Sequence, residues 1–205
     1  MGAPIAWIDV ADDAELDGAV YRGLKRPDGT VHNLYRAFSL WPAPLSAADA
    51  LYRAILHSPD GPLTFAECEL LATQVAVLTG CAYAQAHHGE NFKRLQGERG
   101  RAETMIDHLR LERYPDDLFG PRLKAMLAYG AKLTRAPEAL GPDDVAGLRD
   151  AGLSDPEILH LNQVSANFNY WVRVINGLGI ALGGEEVGMA PDALDEIDTA
   201  RRNGP

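Results

Sequence analysis

Ile158, Leu161, Val164, Phe168, Val172 and Ile175 recur at spacings of three and four. That rhythm fits one face of an α-helix and not a strand, whose side chains change face at every residue. Ser154-Asp155-Pro156-Glu157 ahead of the run is a capping box, and Gly177 and Gly179 behind it supply the stop. A helix of this length must bury its apolar stripe, so the rest of the chain has to pack against it. The same periodicity dominates elsewhere and strand-like alternation is hard to find. The residues therefore read as all-α.

Thr64 and Glu67 form another capping box, followed by Cys68, Leu71, Ala72, Val75 and Leu78 at helical spacing. Glu69, Thr73, Ala76 and Gly80 lie on a different face of that helix. After the glycine turn a second helix is expected from Cys81 to Leu95, with Lys93 and Arg94 suiting its C-terminal dipole. Shorter helices are expected over Asp12 to Leu24, stopped by Lys25-Arg26-Pro27-Asp28-Gly29, and over Asn33 to Leu40, stopped by Trp41-Pro42-Ala43-Pro44. Ser46 is expected to cap a helix to Ser58 with Leu51, Ile55 and Leu56 inward. Asp116 or Asp117 is expected to open one that Pro137 closes, and Gly141-Pro142-Asp143-Asp144 one that Gly152 ends. Arg201-Arg202-Asn203-Gly204-Pro205 reads as a frayed end. The expected organisation is a single helical domain over 30–184, an N-terminal extension over 1–29, and a C-terminal tail with a short helix over 185–205.

Charge narrows the partners. The 205 residues hold 19 Lys and Arg against 29 Asp and Glu, a net charge of −10, which argues against nucleic acid and anionic membrane surfaces. No apolar run approaches the ~18 residues of a membrane span. The N-terminus lacks a basic segment before an apolar one, so no signal peptide is expected, and two cysteines fit a reducing cytoplasm. The Lys93, Arg94, Arg99, Arg101 cluster, punctuated by Glu98 and Glu103, reads as a solvated helix end.

Glu69, Cys81 and His88 form the constellation with chemical potential. Seven residues of helix bring a side chain back to within about 20° of its start, so Cys81 and His88 share a face. Cys81 sits at a helix start, where unpaired N–H groups favour a thiolate. Glu69, on the preceding antiparallel helix, is expected to face the second. Carboxylate, imidazole and thiol in this layout suit a proton relay.

Glu69, eleven residues, Cys81-Ala82-Tyr83-Ala84, three residues and His88 resemble the signature of the alkylhydroperoxidase D and carboxymuconolactone decarboxylase superfamily. Leu123 to Thr134, Asp144 to Asp155, and Phe168-Asn169 with Arg173 and Gly179 look like its longer peroxidase-related branch. The resemblance implies an alkylhydroperoxidase-D-like helical bundle, assembly into a homo-oligomer, and thiol-dependent reduction of a small peroxide at a pocket holding Glu69, Cys81, Tyr83 and His88. The family's second motif cysteine, which attacks the peroxide, falls on Ala84. The dithiol cycle is therefore excluded. A single-cysteine route would need an external thiol reductant to resolve the sulfenic acid on Cys81, with His88 carrying the proton and Glu69 orienting it. Two other readings stay open: a decarboxylase-like enzyme using Glu69 and His88 as acid and base on a small carboxylated substrate, and a non-catalytic binding or assembly module.

No cofactor is expected. Cys81 and His88, seven residues apart on one helix, cannot both reach one zinc at about 2 Å. Cys68 reads as a core residue, with a Cys68–Cys81 disulfide conceivable only if geometry permits. His87 is expected in solvent or at an interface, and His108 and His160 to be ordinary residues. Asn162, Gln163, Asn167 and Asn169, with Tyr170 and Trp171, suit either a solvated face or a subunit interface.

Overall fold

The computed structural model describes residues 4–203 apart from 17 and 27. Residues 1–3, on which the reading of the N-terminus partly rests, the Pro27 stop, and Gly204 and Pro205 of the tail lie outside the described residues. Among those described, the secondary structure is helical and no strand occurs. The helices are α1 (Ala19–Arg22), α2 (Asn33–Arg36), α3 (Ala43–Leu56), α4 (Phe65–Leu78), α5 (Ala82–Leu95), α6 (Arg99–Leu111), α7 (Pro121–Arg135), α8 (Pro142–Asp150), α9 (Asp155–Leu178) and α10 (Pro191–Asn203). A 3-10 turn, Pro137–Ala139, links α7 and α8. None of them is long and apolar enough to cross a membrane.

Helix α4 is the axis of the bundle, packed by α5, α6, α7 and α9. Every residue from Cys68 to Ala76 is buried, so the face carrying Glu69 and Thr73 is enclosed as fully as the leucine face. The Thr64–Glu67 box closes as expected, with Glu67 N–H donating to Thr64 Oγ1 at 3.2 Å and Thr64 N–H to Glu67 Oε2 at 2.9 Å. Gly130 on α7 lets this core close: an added Cβ would lie 3.0 Å from Gln74 Oε1 and 3.3 Å from Ser165 Oγ. Gly179 ends α9 in the left-handed region (φ 61°), and a Cβ there would run into the Trp7 ring.

Several expected boundaries are corrected. Pro42 and Pro44 do not stop a helix but start one: α3 begins at Ala43, upstream of Ser46, because a first helical turn needs no N–H from proline. Its Leu51 is half exposed, not inward. The Asp12–Leu24 helix shrinks to α1, and Asn33–Leu40 to α2 followed by turns. Helix α7 starts after Gly120 with Pro121 in its first turn, not at Asp116 or Asp117. The basic cluster is not one solvated end, since α5 stops at Leu95, Gly97 turns the chain (φ 69°), and Arg99 opens α6. Arg99 returns to Glu90 at 2.9 Å, while Arg101 donates to the Asp117 carbonyl at 3.1 Å.

Arg201 is not frayed. Its guanidinium donates to the carbonyls of Leu56 (2.7 Å), Ser58 (3.0 Å) and Leu63 (3.1 Å), and Nη1 approaches Cys68 Sγ at 3.4 Å. The N-terminal segment is held similarly: Trp7 N–H donates to the Leu178 carbonyl at 2.8 Å, and Ala181 N–H to that of Ile5 at 2.9 Å. Both flanking segments thus pack on the helical domain.

Candidate functional site

Helices α4 and α5 run antiparallel across the Gly80 turn (φ 64°), which sets Glu69 against the second turn of α5. Glu69 is fully buried. Its Oε2 lies 2.7 Å from His88 Nδ1, and its Oε1 accepts from Asn91 Nδ2 at 3.1 Å. Asn91 Oδ1 in turn accepts the Met189 N–H at 2.8 Å, which ties the segment before α10 to the carboxylate. A buried carboxylate needs such partners, and accepting Nδ1–H leaves the lone pair of His88 on Nε2. His88 borders a cavity of about 260 Å³, as do Ala84 one turn earlier on α5 and Tyr83.

Cys81 does not join them. It caps α5, is fully buried, and is absent from the cavity wall. The expectation of a thiolate favoured by the helix start is corrected here: burial pushes the thiol up and outweighs the downward pull of the Ala84 and Tyr83 N–H groups. Cys68 is also buried, and desolvation raises it to about 12 against the opposing Arg201 charge. Both cysteines are free, so the conceivable Cys68–Cys81 disulfide is absent. Neither thiol should react with an aromatic disulfide reagent in the native protein, and both should do so in denaturant. Fast modification of one thiol before unfolding would contradict this burial.

His87 is corrected as well. It is buried, not in solvent, and belongs to a hydrogen-bonded cluster that joins the start of the helical domain to Glu185 of the C-terminal segment. Glu185 Oε1 lies 3.3 Å from His87 Nε2 and Oε2 3.2 Å from His32 Nδ1, and the same carboxylate accepts the Asn33 N–H at 2.9 Å. Tyr83 hydrogen-bonds to it too, while its hydroxyl accepts the Leu34 N–H at 3.3 Å. Burial alone would raise the Glu185 carboxyl; the donors from His32, His87, Tyr83 and Asn33 overcome it and hold the group at about 2. That stabilisation is complete above the ordinary carboxylate range near 4.5 and drains away as pH falls towards 2. Acid unfolding of Glu185→Gln should therefore show a flatter limb below pH about 4.5 than the parent, and parallel curves would refute the linkage.

His32, His87 and Glu185 also place potential metal ligand atoms within 4.8 Å of one another. The polarity of the hydrogen bonds opposes that use. Gly188 N–H donates to His87 Nδ1 at 3.1 Å, so the neutral ring carries its proton on Nε2 and has no lone pair there for a cation. Burial and the neighbouring His32 and His88 act to keep this ring neutral against the pull of Glu185. A metal-bound histidine has the opposite polarity, with its second nitrogen donating.

The remaining wall is aromatic. Tyr52 meets His57, Phe168, Trp171 and His88 edge-on, at centroid separations of 5.0, 6.3, 6.4 and 6.5 Å. Trp171 is buried in this wall, not held at a surface, whereas Tyr170 is exposed. Two of the polar residues of α9 bond to α7: Asn162 donates to Tyr129 Oη and Asn169 to Thr134 Oγ1, both at 2.9 Å. His160, expected to be ordinary, is buried with Nδ1 accepting the Leu63 N–H at 3.1 Å and Nε2 2.7 Å from the Ile55 carbonyl. Sequence reasoning missed His32, Tyr52, His57, Asn91 and Glu185. Only Asn91 left a local signal, three residues beyond His88 on the same helix.

No family model matches the chain, and neither does any curated protein. Solved structures do match. An uncharacterized peroxidase-related protein from Ralstonia eutropha, described as an alkylhydroperoxidase AhpD core, is 22% identical with a TM-score of 0.75, covering 97% of this chain and 98% of its own. A peroxidase-related protein from Silicibacter sp. TM1040 is 22% identical with a TM-score of 0.73 over 89% of this chain and 96% of its own. The debrominase Bmp8, as a variant in complex with 2,3,4-tribromopyrrole, is 16% identical with a TM-score of 0.68 over 96% and 98%. This chain has the all-helical fold of the alkylhydroperoxidase-D-like proteins.

Proposed function

We propose that this protein is a thiol-independent acid–base enzyme, with His88 the proton-transfer group and Glu69 its positioning residue, acting on a small unsaturated carboxylated substrate. The observation that carries the reading is the 2.7 Å contact between Glu69 Oε2 and His88 Nδ1 at a wall where Ala84 supplies only a methyl group. Cys81 is sealed away from that wall, with its thiol raised by burial. Peroxide reduction through Cys81 would need an accessible and readily ionised thiol, whereas this side chain is buried and its burial pushes the thiol up. The debrominase of the same fold supports the view that the fold hosts chemistry other than peroxide reduction.

In this reading the carbon–carboxylate bond breaks and carbon dioxide leaves. The bonding pair stays in the conjugated skeleton, and protonated His88 delivers a proton to the carbon from Nε2. Glu69 holds the imidazole in one orientation and balances its positive charge when protonated. The atoms and electrons balance without a thiol, a metal or an oxidant.

Two assays test this. A carboxylated muconolactone should lose carbon dioxide at a rate that survives Cys81→Ser. Cumene hydroperoxide with dithiothreitol should be consumed no faster than without the protein. Catalysed peroxide consumption that Cys81→Ser abolishes would overturn the reading in favour of a single-cysteine peroxidase.

A further inference from the structure

Two imidazoles of this cavity are each oriented by a carboxylate of their own, and decarboxylation employs only one of them. His88 is held by Glu69. The second is His32, at the N-cap of α2, whose Nδ1 lies 3.2 Å from Glu185 Oε2. Its donors hold Glu185 ionised down to about 2, so His32 Nδ1 carries the proton and the lone pair of the neutral ring sits on Nε2.

Both rings line the cavity, whereas Glu69 and Glu185 do not. Each ring turns Nδ1 to its carboxylate, which leaves the opposite edge, with Nε2, for the cavity. Neither Nε2 has a hydrogen-bond partner among the described residues, and neither is sealed from water. His87 links the two rings. It precedes His88 on α5, its ring centroid is 5.0 Å from that of His32, and the charges of both act on it. A volume of about 260 Å³ holds little more than one small ring, so a ligand inside it can meet both imidazoles.

A third group borders the same space. The Tyr52 and His88 ring centroids are 6.5 Å apart, and the Tyr52 hydroxyl is reachable by water and has no hydrogen-bond partner among the described residues. Burial and then the charge of Glu69 raise this phenol well above its ordinary value, so it stays a donor at neutral pH. A base, an acid and a donor for a developing oxyanion are the requirements of enolisation.

We propose that His32 is a second proton-transfer residue of this cavity and that, together with His88, it isomerises small β,γ-unsaturated ketones or lactones to their conjugated forms. His32 Nε2 takes a proton from the carbon between the carbonyl and the double bond. The C–H bonding pair passes into a dienolate, whose oxygen accepts from the Tyr52 hydroxyl. Protonated His88 then delivers a proton from Nε2 to the γ carbon, and the double bond moves into conjugation. Both imidazoles afterwards restore their protons through water, so substrate and product have one formula and no oxidant is consumed. Glu185 is the positioning residue of His32. The inference rests on the acid–base reading of His88.

The test gives the full chain 3-cyclohexenone, an uncharged ring with no carboxylate to lose, in H2O and in D2O. The parent should form 2-cyclohexenone at least about a hundredfold faster than buffer alone, and His32→Gln should lower the rate about a hundredfold. Tyr52→Phe should also cost about a hundredfold, the worth of one oxyanion donor. Glu185→Gln should lower kcat about tenfold with KM little changed, a split that a merely structural carboxylate would not give. In D2O the parent's product should carry a solvent deuteron on the γ carbon from the first turnover, because one ring accepts the proton and another supplies it. That label decides the matter even if His32→Gln fails to fold. No acceleration over buffer, a parental rate in folded His32→Gln, or the substrate's own proton retained on the γ carbon would each overturn the inference. Isomerisation of this ketone releases no carbon dioxide, so this result can fail while decarboxylation stands, and the reverse.

Discussion

His88→Ala should lower turnover of the carboxylated substrate by about 10²–10⁴-fold, the usual worth of a positioned general acid or base. Glu69→Gln should cost about a hundredfold or more in kcat with KM little changed, because the amide keeps the shape but cannot balance an imidazolium. Asn91 can still donate to the amide oxygen, so this variant should fold normally. The comparison separates chemistry from architecture: a merely structural carboxylate would show up as a fall in melting temperature with the rate per folded molecule intact. Near-parental kcat in either variant would remove the Glu69–His88 pair from the mechanism.

Arg201→Ala should destabilise the protein by about 3 kcal/mol. Truncation strands carbonyls of Leu56, Ser58 and Leu63 that now receive charge-assisted hydrogen bonds. For a protein of this size that corresponds to a melting temperature lower by about 6–12 °C. Arg201→Lys should recover only part of it, since a single ammonium cannot reach carbonyls spread across the fork of the guanidinium. A loss below about 1 kcal/mol would mean that water satisfies those carbonyls as well as the arginine does.

What could be read from the chain alone was local. The capping boxes at Thr64–Glu67 and Ser154–Glu157 gave the starts of α4 and α9 because a cap acts within one turn. The interval from Glu69 to His88 placed them on facing helices because only a tight glycine turn separates α4 from α5. Pro42 and Pro44 misled, since proline suits the first turn of a helix as well as it ends one. Helix α6 escaped notice because its polar, charged sequence hides the buried stripe of Ala102, Met105, Ile106 and Leu109. Cys81 misled for a different reason: the helix start favours the thiolate as expected, but burial, a tertiary property, opposes it more strongly. Glu185 meets His87 across 98 residues and His32 across 153, and no periodicity encodes such a meeting.

The pair proposed to move the proton sits on two helices locked in the interior, whereas much of the enclosure around it comes from stretches close to the chain's two ends, through His32 and Lys25 on one side and Gly188 and Met189 on the other. Inherited changes can therefore act on reactivity and selectivity separately. A substitution in the terminal stretches can readjust which molecules are admitted, while one on the interior helices is constrained by the packing of the entire bundle. Descendants of such a scaffold can diversify their diets and leave the reacting groups undisturbed.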